Sequence, residues 1–312
     1  MATALTLERS ALHRSGSDRR QIRRGFLFAL MACSLAFPRS EPNTGIPAQD
    51  LVRRAVANEL KSSDNHNYMF RSRKETARGS QTHLYVQTKD AMAGLLIAND
   101  DRPLTPEQRQ GEDTRNQRLM NDSDALEHKQ KQEKENSDRV SRIVRAIPDA
   151  FVFDYDGTVP GKKGIGRLGD DLVRLKFRPK PDYDPPSHTE QVLTGMQGVL
   201  LIDAAEDRIA QIDGTLFKDV GFGWGILGHL DRGGHFLVEQ GSVGDNDWSI
   251  THMTLRFTGK LLLFKSLNIQ SDEVYSEFRP APENLTFAQG IELLKRENPF
   301  PPDSREAQPG PK

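Results

Sequence analysis

Alternation of apolar and polar residues runs through most of the chain after residue 170 and limits the folds that it can adopt. Val173, Leu175 and Phe177, for example, alternate with three basic residues. Successive side chains of a β-strand point to opposite faces, so this pattern predicts a strand with one apolar face and one face in water. Further strands are predicted at residues 198–203, 208–213, 234–240, 248–257 and 261–269. The short turn between the first two of these predicts a hairpin.

The region before residue 105 predicts a helix followed by three strands. Residues 51–60 carry Leu, Val and Ala at helical spacing, after a polar, proline-bearing linker at residues 38–48. Three strand-like segments follow, with glycine, serine and aspartate between them, and they predict an antiparallel meander. These segments are residues 68–73, 83–88 and 94–98.

Residues 105–147 predict a hairpin of two helices inserted between the two groups of strands. Thr105 can cap the first helix, Pro106 suits its first turn, and Gln108 completes a capping box. The Asn-Asp-Ser-Asp segment at residues 121–124 can end the first helix and begin the second. Much of the hairpin is charged or amidic and is expected to lie in water. Four apolar residues near its end recur at helical spacing and are expected to dock on the body of the domain: Val140, Ile143, Val144 and Ile147.

The order of these elements predicts an α+β fold in which the strands pair in antiparallel fashion. Strands and helices do not alternate regularly, as they would in a parallel α/β sheet. We expect a single domain over residues 49–296, with the helical insertion inside it and a short last helix at residues 287–295. A proline-rich tail at residues 297–312 is expected to be disordered.

The N-terminus has the layout of a bacterial signal peptide. Five arginines lie between residues 14 and 24, an uncharged apolar segment covers residues 25–37, and Pro38 ends it. This segment is short for a membrane-spanning helix, so we predict that residues 1–37 are a signal peptide and that the mature chain is periplasmic or secreted. A twin-arginine route, lipidation and retention as a membrane anchor remain alternatives. Cys33 is the only cysteine, so a chain cut after it can form no disulfide.

The overall charge gives no reason to expect a nucleic-acid partner. The net charge is −1 with 28% charged residues, which provides no general attraction for polyanions or acidic membranes. No later segment approaches the length of a membrane span, so no transmembrane span is predicted once the signal peptide is removed.

One motif, at residues 151–159, suggests catalysis. The sequence Phe-Val-Phe-Asp-Tyr-Asp-Gly-Thr-Val matches the signature of haloacid dehalogenase-like phosphohydrolases. That resemblance implies a magnesium-dependent phosphohydrolase with Asp154 as nucleophile and Asp156 as general acid–base. The motif should then be followed by a helix, whereas a glycine-rich turn and another alternating strand follow it. We therefore predict that both aspartates lie on a strand end or turn and hold no metal, and keep the enzyme as the alternative function.

Two weaker patterns have simpler structural explanations. Gly223, Gly225 and Gly228 have dinucleotide-binding spacing, but the helix that a nucleotide needs has no room before Asp231. The stretch therefore predicts a tight apolar connection, either buried or forming a lip over a cavity. Three histidines could converge on a metal across strands, although their spacing matches no strong ligand pattern; they are His229, His235 and His252.

The combination of signal peptide, helix, meander, helical insertion and long antiparallel run resembles the lipoprotein-carrier superfamily (LolA-like, with related lipoprotein-sorting proteins). The likeness is clearest at residues 95–104, which lead into the capped helix, and at residues 198–214. More narrowly, the chain resembles a group of uncharacterised secreted bacterial proteins, with residues 222–230 as the most distinctive stretch. The resemblance implies a curved antiparallel half-barrel closed by helices over an apolar cavity, with no cofactor and no enzymatic activity.

The expected function is therefore non-catalytic binding of a lipid, a lipoprotein acyl chain or an envelope partner protein. A structural envelope protein with a filled core is a third possibility. We expect helices on one side of the sheet to leave a void, so that Leu175→Trp would fill it and weaken ligand binding without unfolding the protein. The predicted cavity residues are Val173, Leu175, Phe177, Leu200, Ile202, Phe222 and Trp224.

Overall fold

The computed structural model describes the chain at residues 45–62, 68–222, 228–244, 247–261 and 265–300. All described residues belong to one compact unit. The predicted signal peptide, Trp224 and the tail beyond Phe300 therefore lie outside the described residues.

The helices of the described chain are α1 (Ala48–Ser62), α2 (Pro106–Asn121), α3 (Ser123–Ala150) and α4 (Phe287–Arg296), with a 3-10 helix at Glu190–Gly195. Thr105 accepts a hydrogen bond from the Gln108 N–H and donates its own N–H to the Gln108 side chain. Asp122 separates α2 from α3 and accepts from the N–H groups of Asp124 and Ala125. The two helices predicted for this insertion are thus confirmed, although α3 extends to Ala150.

Thirteen strands form one open antiparallel sheet in the described part of the chain, which confirms the predicted α+β class. The path through the sheet is β4-β3-β2-β1-β13-β12-β11-β8-β7-β6-β5, and β10 joins β9 to β12 beside this path. The strands are β1 (Tyr68–Thr76), β2 (Gly79–Val86), β3 (Ala93–Asn99), β4 (Arg102–Pro103), β5 (Phe151–Pro160), β6 (Asp171–Pro179), β7 (Met196–Asp203), β8 (Arg208–Leu216), β9 (Val220–Phe222), β10 (Gly228–Leu230), β11 (His235–Ser242), β12 (Trp248–Leu261) and β13 (Lys265–Pro280).

The last strand is the largest departure from the sequence prediction. A strand was expected at residues 261–269, whereas β13 begins at Lys265 and runs to Pro280. Its polar middle shows no apolar alternation, but ladder hydrogen bonds to β1 and β12 hold it in the sheet. Through β13, the N-terminal meander joins the C-terminal strands in one sheet.

The two faces of the sheet can be followed across the strands, because directly paired residues project from the same face. One such row crosses eight strands: Leu175, Leu200, Ile212, Val238, Met253, Glu273, Lys74 and Gln81. We call this the α1 face, because α1 covers its β5–β8 end. The opposite side is the α4 face, which carries Met69, Leu84, Val86 and Leu95 beneath α4.

Helices therefore pack on both sides of the sheet, which corrects the expectation of helices on one side. On the α1 face, the largest core cluster joins β6–β8 to Leu51, Val52 and Val56 of α1 and to the end of α3. On the α4 face, Phe287, Ile291 and Leu294 of α4 pack on β1–β3. A small third cluster around Trp248 lies behind β6–β8.

Candidate ligand-binding face

The predicted cavity residues on β6 and β7 lie together on the α1 face, beneath helices. All five belong to the largest core cluster and are at most 5% exposed: Val173, Leu175, Phe177, Leu200 and Ile202. Phe222 is half-buried at the edge of the same cluster, and Trp224 lies outside the described residues. Leu175 is fully buried, so tryptophan there would overpack this core instead of filling a void.

The same face continues past the core as an apolar strip that is only half-buried. We define the apolar strip as Val238, Met253 and Leu255, on β11 and β12. Val238 pairs with Ile212 and Met253, and Leu255 pairs with Phe236, so all three project from the α1 face. The strip is therefore a direct continuation of the core surface beneath α1.

An aromatic group extends the strip onto β13, β1 and β2. The Phe70 ring centroid lies 5.5 Å from that of Tyr85, 6.0 Å from Tyr275 and 5.7 Å from Phe278. His83 stacks on Tyr85 at 5.4 Å. All five side chains are half-buried, and burial lowers the pKa of His83 and raises the pKa of Tyr85. Sequence analysis missed this group because Tyr275 and Phe278 join Phe70 only through the long-range pairing of β1 with β13.

A buried carboxylate lies beside these rings. Glu273 accepts a hydrogen bond of 2.6 Å from Ser72 Oγ, and its Oε2 lies 3.4 Å from Lys74 Nζ. Burial raises the pKa of Tyr275 well above its ordinary value, and the nearby negative charge of Glu273 is the second-largest cause of this shift. The α1 face thus combines an apolar surface with an ion pair between a buried carboxylate and an exposed ammonium.

Helix α3 passes from one end of the sheet path to the other. Near β3, Glu133 accepts the Met92 N–H at 3.1 Å, and near β5, Ile147 and Ala150 enter the core. Residues 134–140 between these points are exposed. The expected docking holds for Ile143, Val144 and Ile147, but it is wrong for Val140, which is 60% exposed. Val140 ends this solvated segment and comes before the helix reaches the core.

Side chains of the helical hairpin occupy the edge of β3. Glu112 accepts the Leu96 N–H at 2.9 Å, and Arg115 donates to the Gly94 carbonyl at 2.9 Å and to Glu112. Burial favours a high pKa for Glu112, but the hydrogen bonds from Arg115 and the Leu96 N–H outweigh it and hold the pKa below its ordinary value. These bonds satisfy backbone groups that an edge strand would otherwise expose.

The phosphohydrolase-like motif lies in a different setting from the one its chemistry needs. β5 is an edge strand that pairs only with β6 on the sheet path, in antiparallel fashion, and a turn rather than a helix follows it. Asp156 lies 3.0 Å from Lys176 and 3.3 Å from Arg174, and Asp154 lies 3.6 Å from Arg178. The expected strand end or turn is wrong: the pairing register shifts between Tyr155 and Thr158, which places a bulge inside the strand. This setting resembles an ion-paired strand surface.

The three histidines are dispersed and each pairs with its own carboxylates. His229 lies 3.1 Å from Asp231, His235 lies 2.9 Å from Asp213, and His252 lies between Glu239 and Asp272. Within the described ranges, no three His, Cys, Asp or Glu side chains are grouped as they would be around a metal ion. Most of the glycine-rich segment between Phe222 and Gly228 lies outside the described residues.

Helices of the described chain are each too short or too polar to cross a bilayer. A scan against models of known protein families and a search of curated proteins both find no match for this chain.

Proposed function

We propose that the protein is an exported, non-catalytic carrier that holds the acyl chain of an amphiphile on the apolar strip of the α1 face. One observation carries the proposal: the apolar row that is buried at Leu175 and Leu200 continues to Val238 and Met253, where it is only half-buried. An apolar surface that continues a core without its full helical cover favours a ligand of the same character.

The dimensions of α3 support a sheet curved into a half-barrel around this surface. Nine strand-to-strand steps separate β3 from β5, which is about 43 Å across a flat sheet. From Glu133, beside β3, to Ala150, just before β5, α3 rises only about 26 Å. A sheet that bends towards α3 would bring its two ends within reach of one helix.

Burial of an acyl chain can supply enough free energy for binding without any covalent bond to the protein. Burial of one CH₂ group contributes ~0.8 kcal/mol, so a chain of a dozen carbons contributes on the order of 8 kcal/mol before ordering costs. A partner protein could cover the same strip, and the binding test below separates the two. The phosphohydrolase alternative has less support, because its motif lies on an antiparallel edge strand.

The proposal predicts that a charge on the apolar strip abolishes acyl-chain binding. Val238→Glu places a carboxylate between Ile212 and Met253, and we expect it to weaken binding of a fluorescent fatty acid at least about tenfold. Titration of the purified protein with the probe measures this effect. Val274→Glu is the matched control, because Val274 is 43% exposed and pairs with Arg73 and His252 on the opposite face.

Two outcomes would contradict the proposal. The unsubstituted protein could fail to bind the probe and carry no lipid in native mass spectrometry, or both variants could bind as it does. Circular dichroism and thermal unfolding of both variants establish that a loss of binding does not come from a loss of fold.

A further inference from the structure

Beside the aromatic group, two cross-strand rows of the α1 face change from apolar to polar between β12 and β13. In one cross-strand row, Val238 and Met253 are followed by Glu273 and Lys74. In the next row, Leu255 is followed by Ser271 and Thr76. The boundary falls between the same two strands in both rows, so a polar region lies directly beside the apolar strip.

This polar region presents charges of both signs at different depths. The Glu273 side chain is 11% exposed, whereas the Lys74 side chain is 48% exposed, and the two lie 3.4 Å apart. Each carboxylate oxygen has two lone pairs, and an ammonium has three N–H donors. Glu273 already has Ser72, Tyr275 and Lys74 as partners, and both charged groups have hydrogen-bonding capacity beyond these contacts.

Ser271 adds an unsatisfied group to the same region. The residue is 7% exposed, and its Oγ is buried without a hydrogen bond from any described residue. A buried hydroxyl without a hydrogen-bond partner costs free energy, and native structures rarely contain one.

We propose that this region binds a zwitterionic head group, with its cation towards Glu273 and its anion towards Lys74 near the rim. The inference rests on the proposed acyl-chain carrier, because the tail of the same molecule would lie on the apolar strip. A purely anionic head group would pair with Lys74 but would be repelled by the carboxylate of Glu273. A purely cationic head group would pair with Glu273 but would be repelled by the ammonium of Lys74. An uncharged head group would use neither charge.

The test compares ligands that share one acyl chain and differ only in the head group. The zwitterionic probes are lysophosphatidylcholine and lysophosphatidylethanolamine; lysophosphatidylglycerol is the anionic probe and monoacylglycerol the uncharged one. We expect the zwitterionic probes to bind at least about tenfold more tightly, which is the effect of one charge-assisted contact. Lys74→Gln and Glu273→Gln should each remove this preference while monoacylglycerol binding is retained.

Glu75→Gln is the matched control, because Glu75 is the next residue of β1 and points to the opposite face. Lys74→Glu provides a second variant at an exposed position, which keeps the test valid if Glu273→Gln does not fold. Equal binding of all four probes, or a preference that survives in the Lys74 variants, would overturn the head-group assignment and leave the carrier proposal standing. Failure of every probe to bind would overturn both.

Discussion

At the scale of single residues, Glu112 shows how one buried carboxylate can hold an edge of the sheet. Its oxygens accept from the Leu96 N–H, from Arg115 and from Asn116, and the residue is 7% exposed. A carboxylate with several donors is favoured in its charged form, which agrees with its lowered pKa. The contact between α2 and β3 therefore depends on the ionised state of Glu112.

We predict that Glu112→Gln lowers the free energy of unfolding by about 2 kcal/mol at pH 7, through the loss of charge-assisted hydrogen bonds. Because the pKa of Glu112 is depressed in the folded state, its contribution is complete above the unfolded value near 4.5 and is lost as the pH falls through the folded value. The difference between the two proteins should therefore shrink below pH 4.5 in urea denaturation. Asp113→Asn, whose side chain is 44% exposed, is the control, and an equal effect there would refute this role.

At the scale of elements, α4 illustrates how closely a helix can lie on a sheet. Gly290 faces β2, β3 and the turn between them, and a Cβ atom at this position would lie 2.7 Å from Thr88 Cγ2 and 3.0 Å from Ala93 Cβ. Gly290 therefore permits a close approach that a larger residue would prevent. By contrast, a Cβ atom at Gly111 in α2 would meet nothing within 4 Å.

The same substitution should have opposite effects at these two glycines. Alanine is intrinsically about 1 kcal/mol better than glycine inside a helix, so Gly111→Ala should raise the free energy of unfolding by up to about that amount. Gly290→Ala should lower it by about 1–2 kcal/mol, because overpacking outweighs the helix propensity. Thermal unfolding of both variants measures this, and stabilisation by Gly290→Ala would show that α4 can move away from the sheet.

The elements also show what the sequence could predict. Alternation at Val173, Leu175 and Phe177 predicted β6, and Thr105 with Gln108 predicted the start of α2, because both signals are local. The aromatic group was not predictable, since Ser72 and Glu273 on its strands are 201 residues apart. The polar stretch of β13 carries no apolar alternation, and only its long-range partners make it a strand.

At the scale of the whole molecule, the described residues form a sheet whose N-terminal strands depend on the C-terminal end of the chain. β1 pairs with β13, and α4 covers the apolar residues of β1–β3. The antiparallel α+β class was predicted correctly. The packing of α4 on the second face of the sheet was not predicted. An apolar stripe on a helix shows that this side of the helix is buried, but it does not show which surface covers it.

We therefore predict that a chain ending at Pro280 loses the structure of β1–β3. Removal of α4 would expose Leu84, Val86 and Ile97, which are now buried against Phe287 and Ile291. Hydrogen exchange with mass spectrometry should show faster exchange in β2 and β3, and size-exclusion chromatography should show aggregation. A chain ending at Phe300 keeps α4 and is the control; equal protection in the two proteins would contradict the prediction.

The pairing of β1 with β13 also bears on when binding becomes possible. A ribosome makes Phe70 and Tyr85 long before Glu273 and Tyr275, although all four belong to one surface. That surface exists only once nearly the whole chain has been synthesised and the last long strand has taken its place. On the proposed carrier function, a nascent chain would therefore have no assembled surface with which to capture a ligand too early, and loading would follow the completion of folding.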